Sequence, residues 1–547
     1  MNPTAILLAT FILSIVGLFF FIWSLRKGMF DATSSGARAI FTSGEIGQIE
    51  EPSADTEQKQ QLQKVTDEHG PDSDSEEGVS PIELSAREEA DRSTAYPVYL
   101  MFACAALWLV IASFAGLISS LKLHWPDFLT DYAWLTFGRL RTIHLNAVAY
   151  GWAPMGTLGL AVWLLPRLLQ TPLRGARLVI LGVVIWNAGL IAGLGGLAVG
   201  INAGMEWLEI PWQIGGLFAV GGMLIGLPMA LMIGQRKVHH LYVSVWYMGA
   251  ALFWFPTLYI VAKVPGVHFG VEQGTMNWWF GHNVLGLFYT PISLACIYYF
   301  LPKVIGRPVR SYNLSLLGFW TLAFFYGQVG AHHLIGGPIP EWLATLSIVQ
   351  SMMMLIPVIA FSVNQHLTLK GHFNALRYSP VLRFIFFGAT MYTVSSIQGS
   401  FEALRTVNAV THFTHFTVAH AHIGLYGFVS MVIFGGIYFA MPRVLNIPWP
   451  KPALISWHFW LVVAGFATYA VTLSIGGILQ GLDMQDPNVP FMQAVAVTIP
   501  WLEGRSIGGA LMTLGHLIFV YHMALMTLRV STTPLSSAIA APQQKAA

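Results

Sequence analysis

Six histidines stand inside stretches that are otherwise apolar or small. His144 lies in RLRTIHLNAVAYG, His282 in WWFGHNVLG, His332 and His333 in FFYGQVGAHHLIGG, and His420 and His422 in VAHAHIGLYG. Neutral imidazole is a common metal ligand, and an ionisable group kept in an apolar membrane segment marks function. Each one alone reads as a hydrogen-bonded core histidine, but an ordered set of six does not. Residues two apart on a helix point about 200° from each other, so His420 and His422 address two separate cofactors on either side of one helix. Heme iron accepts imidazole as an axial ligand, and His144 is available as the second imidazole for one of two such hemes. His282, His332 and His333 suit a compact metal such as copper, with zinc as the rival for a three-histidine set. Adjacent His332 and His333 converge on one ion only where the backbone departs from a regular helix, and Gly327, Gly330, Gly336 and Gly337 favour such a departure. Tyr326, six residues before His332, is either an aromatic packing residue or part of that chemistry.

The elements that position these groups follow from composition. Of 547 residues, 55% are hydrophobic and only 10% charged, against roughly a quarter charged in soluble domains. Apolar runs long enough to cross a bilayer recur along the chain. They predict thirteen helices, a first near 5–25 and twelve between 97 and 528, in an all-α polytopic membrane protein. Arg167, Arg174, Arg177, Arg236, Lys237, Lys303, Arg307, Arg310, Lys370, Arg377, Arg383, Arg443 and Lys451 fall in one set of alternate loops. Lys122, Arg139, Arg141, Lys263, Arg405 and Arg505 fall in the other, so the first set is expected on the cytoplasmic side. A net charge of +2 gives no reason to expect nucleic acid as a partner. Cys104 and Cys296 sit in different predicted spans and read as core residues.

Four segments result. Residues 1–30 form an N-terminal transmembrane anchor, retained because no basic leader precedes its apolar run. Residues 31–95 are acidic and nearly free of large apolar side chains, which predicts a disordered cytoplasmic linker. Residues 96–530 form a twelve-helix bundle, and 531–547 a disordered tail.

In order along the chain, FGRLRTIHLNAV, WWFGHNVLGLF, RPVRSYNLSLLGFW, FFYGQVGAHHL, TVNAVTHFTHFTVAHAHIGLYG and SWHFW resemble subunit I of the heme-copper oxidase superfamily, specifically the catalytic subunit of cbb3-type cytochrome c oxidases. The resemblance implies that His144 and His422 are axial ligands of low-spin heme b and that His420 is the proximal ligand of high-spin heme b3. It implies copper at His282, His332 and His333, with Tyr326 as a redox-active tyrosine joined to His282. Tyr312 and Ser315, four and three turns before Tyr326, match a proton-uptake route whose usual third member, a histidine, is Gly318 here. Arg139 and Arg141 become clamps for the heme propionates, and Glu209, in GMEWLEIPW with Glu206, becomes a carboxylate near a calcium ion.

Two departures stand out. Gln398 occupies the place of an acid near the high-spin heme, with Glu402 one turn later, and an amide cannot shuttle protons as a carboxylic acid can. FIWSLRKGMFDATSSGARAIF resembles the small single-span maturation protein encoded with these oxidases, here fused to the bundle. The implied function is a terminal oxidase in a bacterial inner membrane. It would reduce O₂ to water with electrons from cytochrome c, with proton uptake and translocation. Because no CxxCH heme-attachment motif occurs, electrons are expected through separate membrane-anchored c-type cytochrome subunits. A nitric oxide reductase shares the six histidines but typically has glutamates beside its metal and lacks the tyrosine, and HNVLGLF offers no glutamate. A non-catalytic oxygen sensor or bis-heme conduit would be marked by loss of a copper-site histidine, and all three are kept.

Overall fold

The computed structural model describes residues 44–67 and 81–532 continuously, together with 34–42 and scattered positions from 15 to 27. The expected anchor, 1–30, lies largely outside the described residues, and the tail, 531–547, almost entirely so. Twelve helices among the described residues are long and apolar enough to cross a membrane. They are α1 (Ser85–Lys122), α2 (Phe137–Leu169), α3 (Ala176–Ala198), α4 (Trp212–Gly234), α5 (Val243–Lys263), α6 (Val271–Ile305), α7 (Tyr312–Leu334), α8 (Glu341–Leu369), α9 (Pro380–Glu402), α10 (His415–Leu445), α11 (Ala453–Gln485) and α12 (Phe491–Val530). No strand occurs among the described residues.

Three helices form the centre. The apolar windows of α2, α6 and α10 are 94%, 89% and 83% buried, against 39–56% for the other nine. An outer helix keeps one face for lipid, whereas a helix apolar all round is a core helix. In lipid, helices gain little from hydrophobicity and associate by close packing at small residues. Between α2 and α10 this packing is reciprocal: Ile433 fills the space over Gly156 and Leu160 that over Gly436. A β-carbon at either glycine would lie only 2.5–2.6 Å from those side chains.

The same three helices each contain a π-helical turn, at Val148–Trp152, Leu285–Tyr289 and Ile423–Ser430. In α2 and α6 a proline follows closely, Pro154 and Pro291, and its ring excludes the carbonyl four residues back from the regular ladder. In α10 the Ser430 hydroxyl instead bonds the Leu425 carbonyl five residues back, at 3.0 Å. Each turn begins within four residues of a histidine singled out above.

Within the expected disordered linker, 31–95, the described residues 44–67 and 81–95 are ordered. The helix ending at Lys122 already begins at Pro81, and 44–67 packs against the end of the bundle that carries the larger basic set. Glu50 pairs with Arg443 and lies 3.6 Å from both Arg167 and Lys303. Glu45 pairs with Arg87 and, at 2.7 Å, with Lys303. The Gly47 and Glu50 amides donate to the Gly306 and Lys303 carbonyls, and Gly306, at φ +67, leaves its face open to the Gln48 backbone. Leu62 on the short helix Thr56–Asp67 is 1% exposed. Low hydrophobicity predicts disorder only for a segment without a partner. Here complementary charge on the bundle adds to a few apolar side chains, Ala54, Leu62 and Val65, that join its core.

Burial raises the affinity of Glu45 for a proton, but the Lys303 and Arg87 cations outweigh it and hold the carboxyl at about 2. Arg443, Lys303 and Arg167 likewise hold Glu50 well below the usual carboxylate range against its burial. Groups with depressed folded values stabilise the docked state above their ordinary value of 4.5, and that stability is lost as pH falls from 4.5 toward 2. Glu50→Ala is therefore expected to raise the rate of limited proteolysis within 44–67 at pH 7 about tenfold or more, the equivalent of ~1.4 kcal/mol. Wild type is expected to approach that rate on acidification below pH 4.5, and equal rates for both proteins at all pH values would refute the clamp.

Candidate heme and metal centre

All six histidines and Tyr326 line one cavity of about 920 Å³. At one end His282 from α6 and His332 and His333 from α7 offer ring nitrogens within 4.8 Å of one another. The end of α7 departs from a regular α-helix here, since Tyr326–Leu334 is a nine-residue 3₁₀ segment, far longer than the usual three or four residues. Neighbouring side chains there diverge differently from those on an α-helix, and the His332 and His333 rings come to 4.5 Å between centroids. The Ser351 hydroxyl donates to the Ser347 carbonyl and so accepts from His332 Nδ1, at 2.9 Å. That tautomer leaves Nε2 bare for a metal. Trp278 stacks on His333 at 4.0 Å. His282 Nδ1 is buried without a protein partner, as suits a nitrogen kept for an ion. Three imidazoles with no carboxylate in the group fit copper or zinc.

Tyr326 sits against this cluster, its ring 5.2 Å from that of His282. Gly286, one turn after His282, makes the approach possible, since any β-carbon there would overlap the Tyr326 ring. Asn283 donates to the Gly327 carbonyl at 3.1 Å and ties the two helices at this level.

At the other end the His144 and His422 rings lie 6.3 Å apart and 9° from parallel. Their Nδ1 atoms donate to the backbone carbonyls of Ala112 (2.7 Å) and Val418 (2.8 Å). Each ring thus presents Nε2 as its free lone pair. With metal–nitrogen bonds of ~2 Å, this spacing would let both imidazoles hold one metal. His422 Nε2 lies 3.2 Å from the Tyr469 hydroxyl. Gly116 admits the His144 ring, as a β-carbon there would lie 2.6 Å from Nδ1. His420 points to the other side of α10, as the two-residue spacing predicts. Its Nδ1 is 3.3 Å from Gln398 Oε1 and 3.8 Å from Glu402 Oε1. Both residues of the departed motif therefore address the same imidazole.

Arg141 lines the cavity and pairs with Glu206. Arg139 does not line it; two residues away on the same helix, it faces outward and donates to the Ala198 carbonyl at 3.1 Å. The helical geometry that separates His420 from His422 excludes one of these two arginines from the cavity. Arg505 lines the cavity instead and donates to Tyr469 at 3.2 Å. From the sequence it is expected in a loop, whereas it lies inside α12. Glu209 is 3% exposed; Asn146 donates to one of its oxygens, and the other, 3.8 Å from Arg141, has no hydrogen-bond partner. Burial pushes its carboxyl up from the usual range.

On α7 the Tyr312 hydroxyl is 2.9 Å from His240 Nε2, and Ser315 donates to the Tyr312 carbonyl at 2.6 Å. The space left by Gly318 is filled from α5: a β-carbon there would lie 3.4 Å from the Tyr247 hydroxyl, which is buried and has no hydrogen-bond partner. Neither His240 nor Tyr247 is evident from the spacing on α7, because both come from another part of the chain.

A family model for cytochrome c and quinol oxidase polypeptide I matches residues 96–511. The chain is 31% identical to the cbb3-type cytochrome c oxidase subunit CcoN1 of Stutzerimonas stutzeri, over 78% of this chain and 94% of that one. This chain belongs to the cbb3-type cytochrome c oxidase subunit 1 family. A cytochrome c oxidase subunit 1 from Rhodobacter capsulatus is 30% identical over 79% of this chain and 86% of its own length. A nitric oxide reductase chain from Stutzerimonas stutzeri is more distant, at 26% identity over 74% of this chain and 89% of its own length. The solved structure of a heme-copper terminal oxidase dimer shares the fold, with a TM-score of 0.62 at 17% identity over 81% of this chain and 84% of that one. Membership in this heme-copper oxidase family implies hemes and a copper ion, and the donor sets above fit both.

Gly286→Ala is expected to displace Tyr326 and loosen the oxidase's three-histidine cluster. Copper content of the purified protein should fall at least severalfold while the heme optical spectrum persists. Full copper retention in that variant would show that the close approach of Tyr326 is not required.

Proposed function

We propose that this chain is the catalytic subunit of a respiratory terminal oxidase that reduces O₂ to water with electrons from a cytochrome c. The observation that carries the reading is Tyr326 against His282 in a three-histidine group that contains no carboxylate. His144 and His422 would hold low-spin heme b, His420 the high-spin heme b3, and His282, His332 and His333 the copper. When bound, these groups supply the electrons and the place where O₂ is held. The protein then has three tasks: to fix the imidazoles, to keep water out of the cavity, and to deliver protons. Backbone carbonyls and Ser351 fix ring orientation. Tyr326 holds a phenolic proton beside His282, where it can be given up together with an electron. His240, Tyr312, Ser315 and Tyr247 form the supply line from the basic face of the bundle toward it. Arg141 and Arg505 are placed to neutralise heme carboxylates, and Glu209, with one oxygen lacking a hydrogen-bond partner, is the carboxylate offered to Ca²⁺. Electrons would enter from membrane-anchored c-type cytochrome subunits on the face opposite the larger basic set, in a bacterial inner membrane. The N-terminal segment is read as a fused maturation protein.

Metal analysis combined with turnover tests the reading. Copper and heme in roughly a 1:2 ratio, with O₂ consumed in preference to NO, are expected; non-heme iron with NO consumption would establish a nitric oxide reductase instead. Tyr326→Phe, which keeps the ring and removes the proton, should lower O₂ turnover about 10²-fold or more. Tyr247→Phe should lower it about tenfold and leave the heme spectrum unchanged.

A further inference from the structure

The three central helices end alike. α2 closes on LLPRLLQ, α6 on FLPKVIG and α10 on AMPRVLN. In each, a proline near the end is followed directly by a cation, and a left-handed residue stands three positions further on, at Gln170, Gly306 and Asn446. The cations lie about six turns beyond His144, His282 and His422 on the same helices. Helices that aim imidazoles into the cavity thus carry Arg167, Lys303 and Arg443 at their opposite ends. A cation in the last turn balances the negative end of its own helix dipole. The rings of Trp163, Phe41 and Phe439 lie against the three cations at 5.0, 4.9 and 4.3 Å.

Glu50 is where the three meet. One of its oxygens pairs with Arg443 and lies 3.6 Å from Arg167, and the other lies 3.6 Å from Lys303. Arg167 also pairs with Asp91 at 2.5 Å and Lys303 with Glu45 at 2.7 Å. Among the described residues, Glu50 is the one carboxylate that Arg443 meets. Each cation comes from a different helix of the bundle and the carboxylate from a segment outside it, so the bundle builds the receptor and the segment supplies only the occupant. The site also opens to solvent: the Glu50 and Arg443 side chains are 23% and 21% exposed, against 6% and 2% for Arg167 and Lys303.

We propose that Arg167, Lys303 and Arg443 form an oxyanion-binding site of the bundle itself, suited to a carboxylate or a phosphate group, and that Glu50 is its tethered ligand. Two guanidinium groups and an ammonium recognise such oxygens by charge-assisted hydrogen bonds. A ligand carried on the same chain competes at an effective concentration of about millimolar, and Glu45 and the buried Leu62 hold this one down further. The seated segment therefore keeps soluble phosphates off the ends of the helices that carry the metal ligands. A free phosphate ion and a lipid headgroup offer the same chemistry. The enclosure of α2, α6 and α10 by the other nine helices favours the free ion.

The test uses the purified full-length protein in inorganic phosphate or, at equal ionic strength, potassium chloride. Bound radiolabelled phosphate is measured by equilibrium dialysis, and proteolysis within 44–67 is timed alongside. Glu50→Ala empties the site and is expected to bind about one phosphate per chain, which should slow its proteolysis about fivefold or more relative to chloride. Wild type, already filled, and Glu50→Ala/Arg443→Gln, which lacks a receptor group, are each expected to bind about tenfold less at the same concentration. Binding by Glu50→Ala no greater than by wild type, or undiminished binding by the double variant, would overturn the site. In a further arm, short-chain phosphatidylglycerol replaces phosphate. Protection of Glu50→Ala by the lipid and not by phosphate would overturn the assignment to a free ion. Should Glu50→Ala fail to accumulate, Glu50→Gln, which keeps the shape of the side chain and removes its charge, is measured in the same way with the same outcomes. O₂ turnover enters none of these arms, so failure of the oxidase reading and failure of the anion site are told apart.

Discussion

An imidazole buried in a bilayer has to satisfy both ring nitrogens, and the rest of this molecule is arranged around six that must do so at once. His144 and His422 use one nitrogen on a backbone carbonyl, and His332 uses one on a serine that is itself committed as a donor. That commitment leaves the other nitrogen aimed into a shared cavity. Ala112 and Ser351 reach their rings from neighbouring helices and Val418 from the same helix, and the three helices that carry four of the six histidines are the most enclosed.

Aiming side chains from regular helices into one volume conflicts with regular geometry, and the structure resolves the conflict locally. α2, α6 and α10 each widen into a π-helical turn just after one of the six histidines, and α7 tightens into a 3₁₀ segment over its pair. Such departures cost ladder hydrogen bonds, and they concentrate at functional sites because only there is the re-aimed side chain worth that cost. Gly286 and Gly116 serve the same end by letting an aromatic or imidazole ring approach a helix backbone.

Charge organises the basic end of the bundle in the way metal geometry organises its interior. Lys303, Arg167, Arg443 and Arg87 would be costly to bury alone, and Glu45 and Glu50 from the N-terminal segment are seated among them. A segment whose composition is that of a solvated tether thus becomes part of the folded body.

The twelve helices of the bundle, the membrane setting and the identity of the six histidines and Tyr326 are properties of the sequence, because apolar length and the scarcity of ionisable groups in apolar runs are local signals. The opposite directions of His420 and His422 follow from their spacing alone. Which of Arg139 and Arg141 meets the cavity, that Arg505 joins it, and that Tyr247 stands where Gly318 leaves a gap were decided only by packing. Those groups come from helices distant in the chain, and no local pattern encodes which face of one helix meets which face of another. The docking of residues 44–67 belongs to the same class, since a carboxylate in a polar stretch looks identical whether water or a buried lysine receives it.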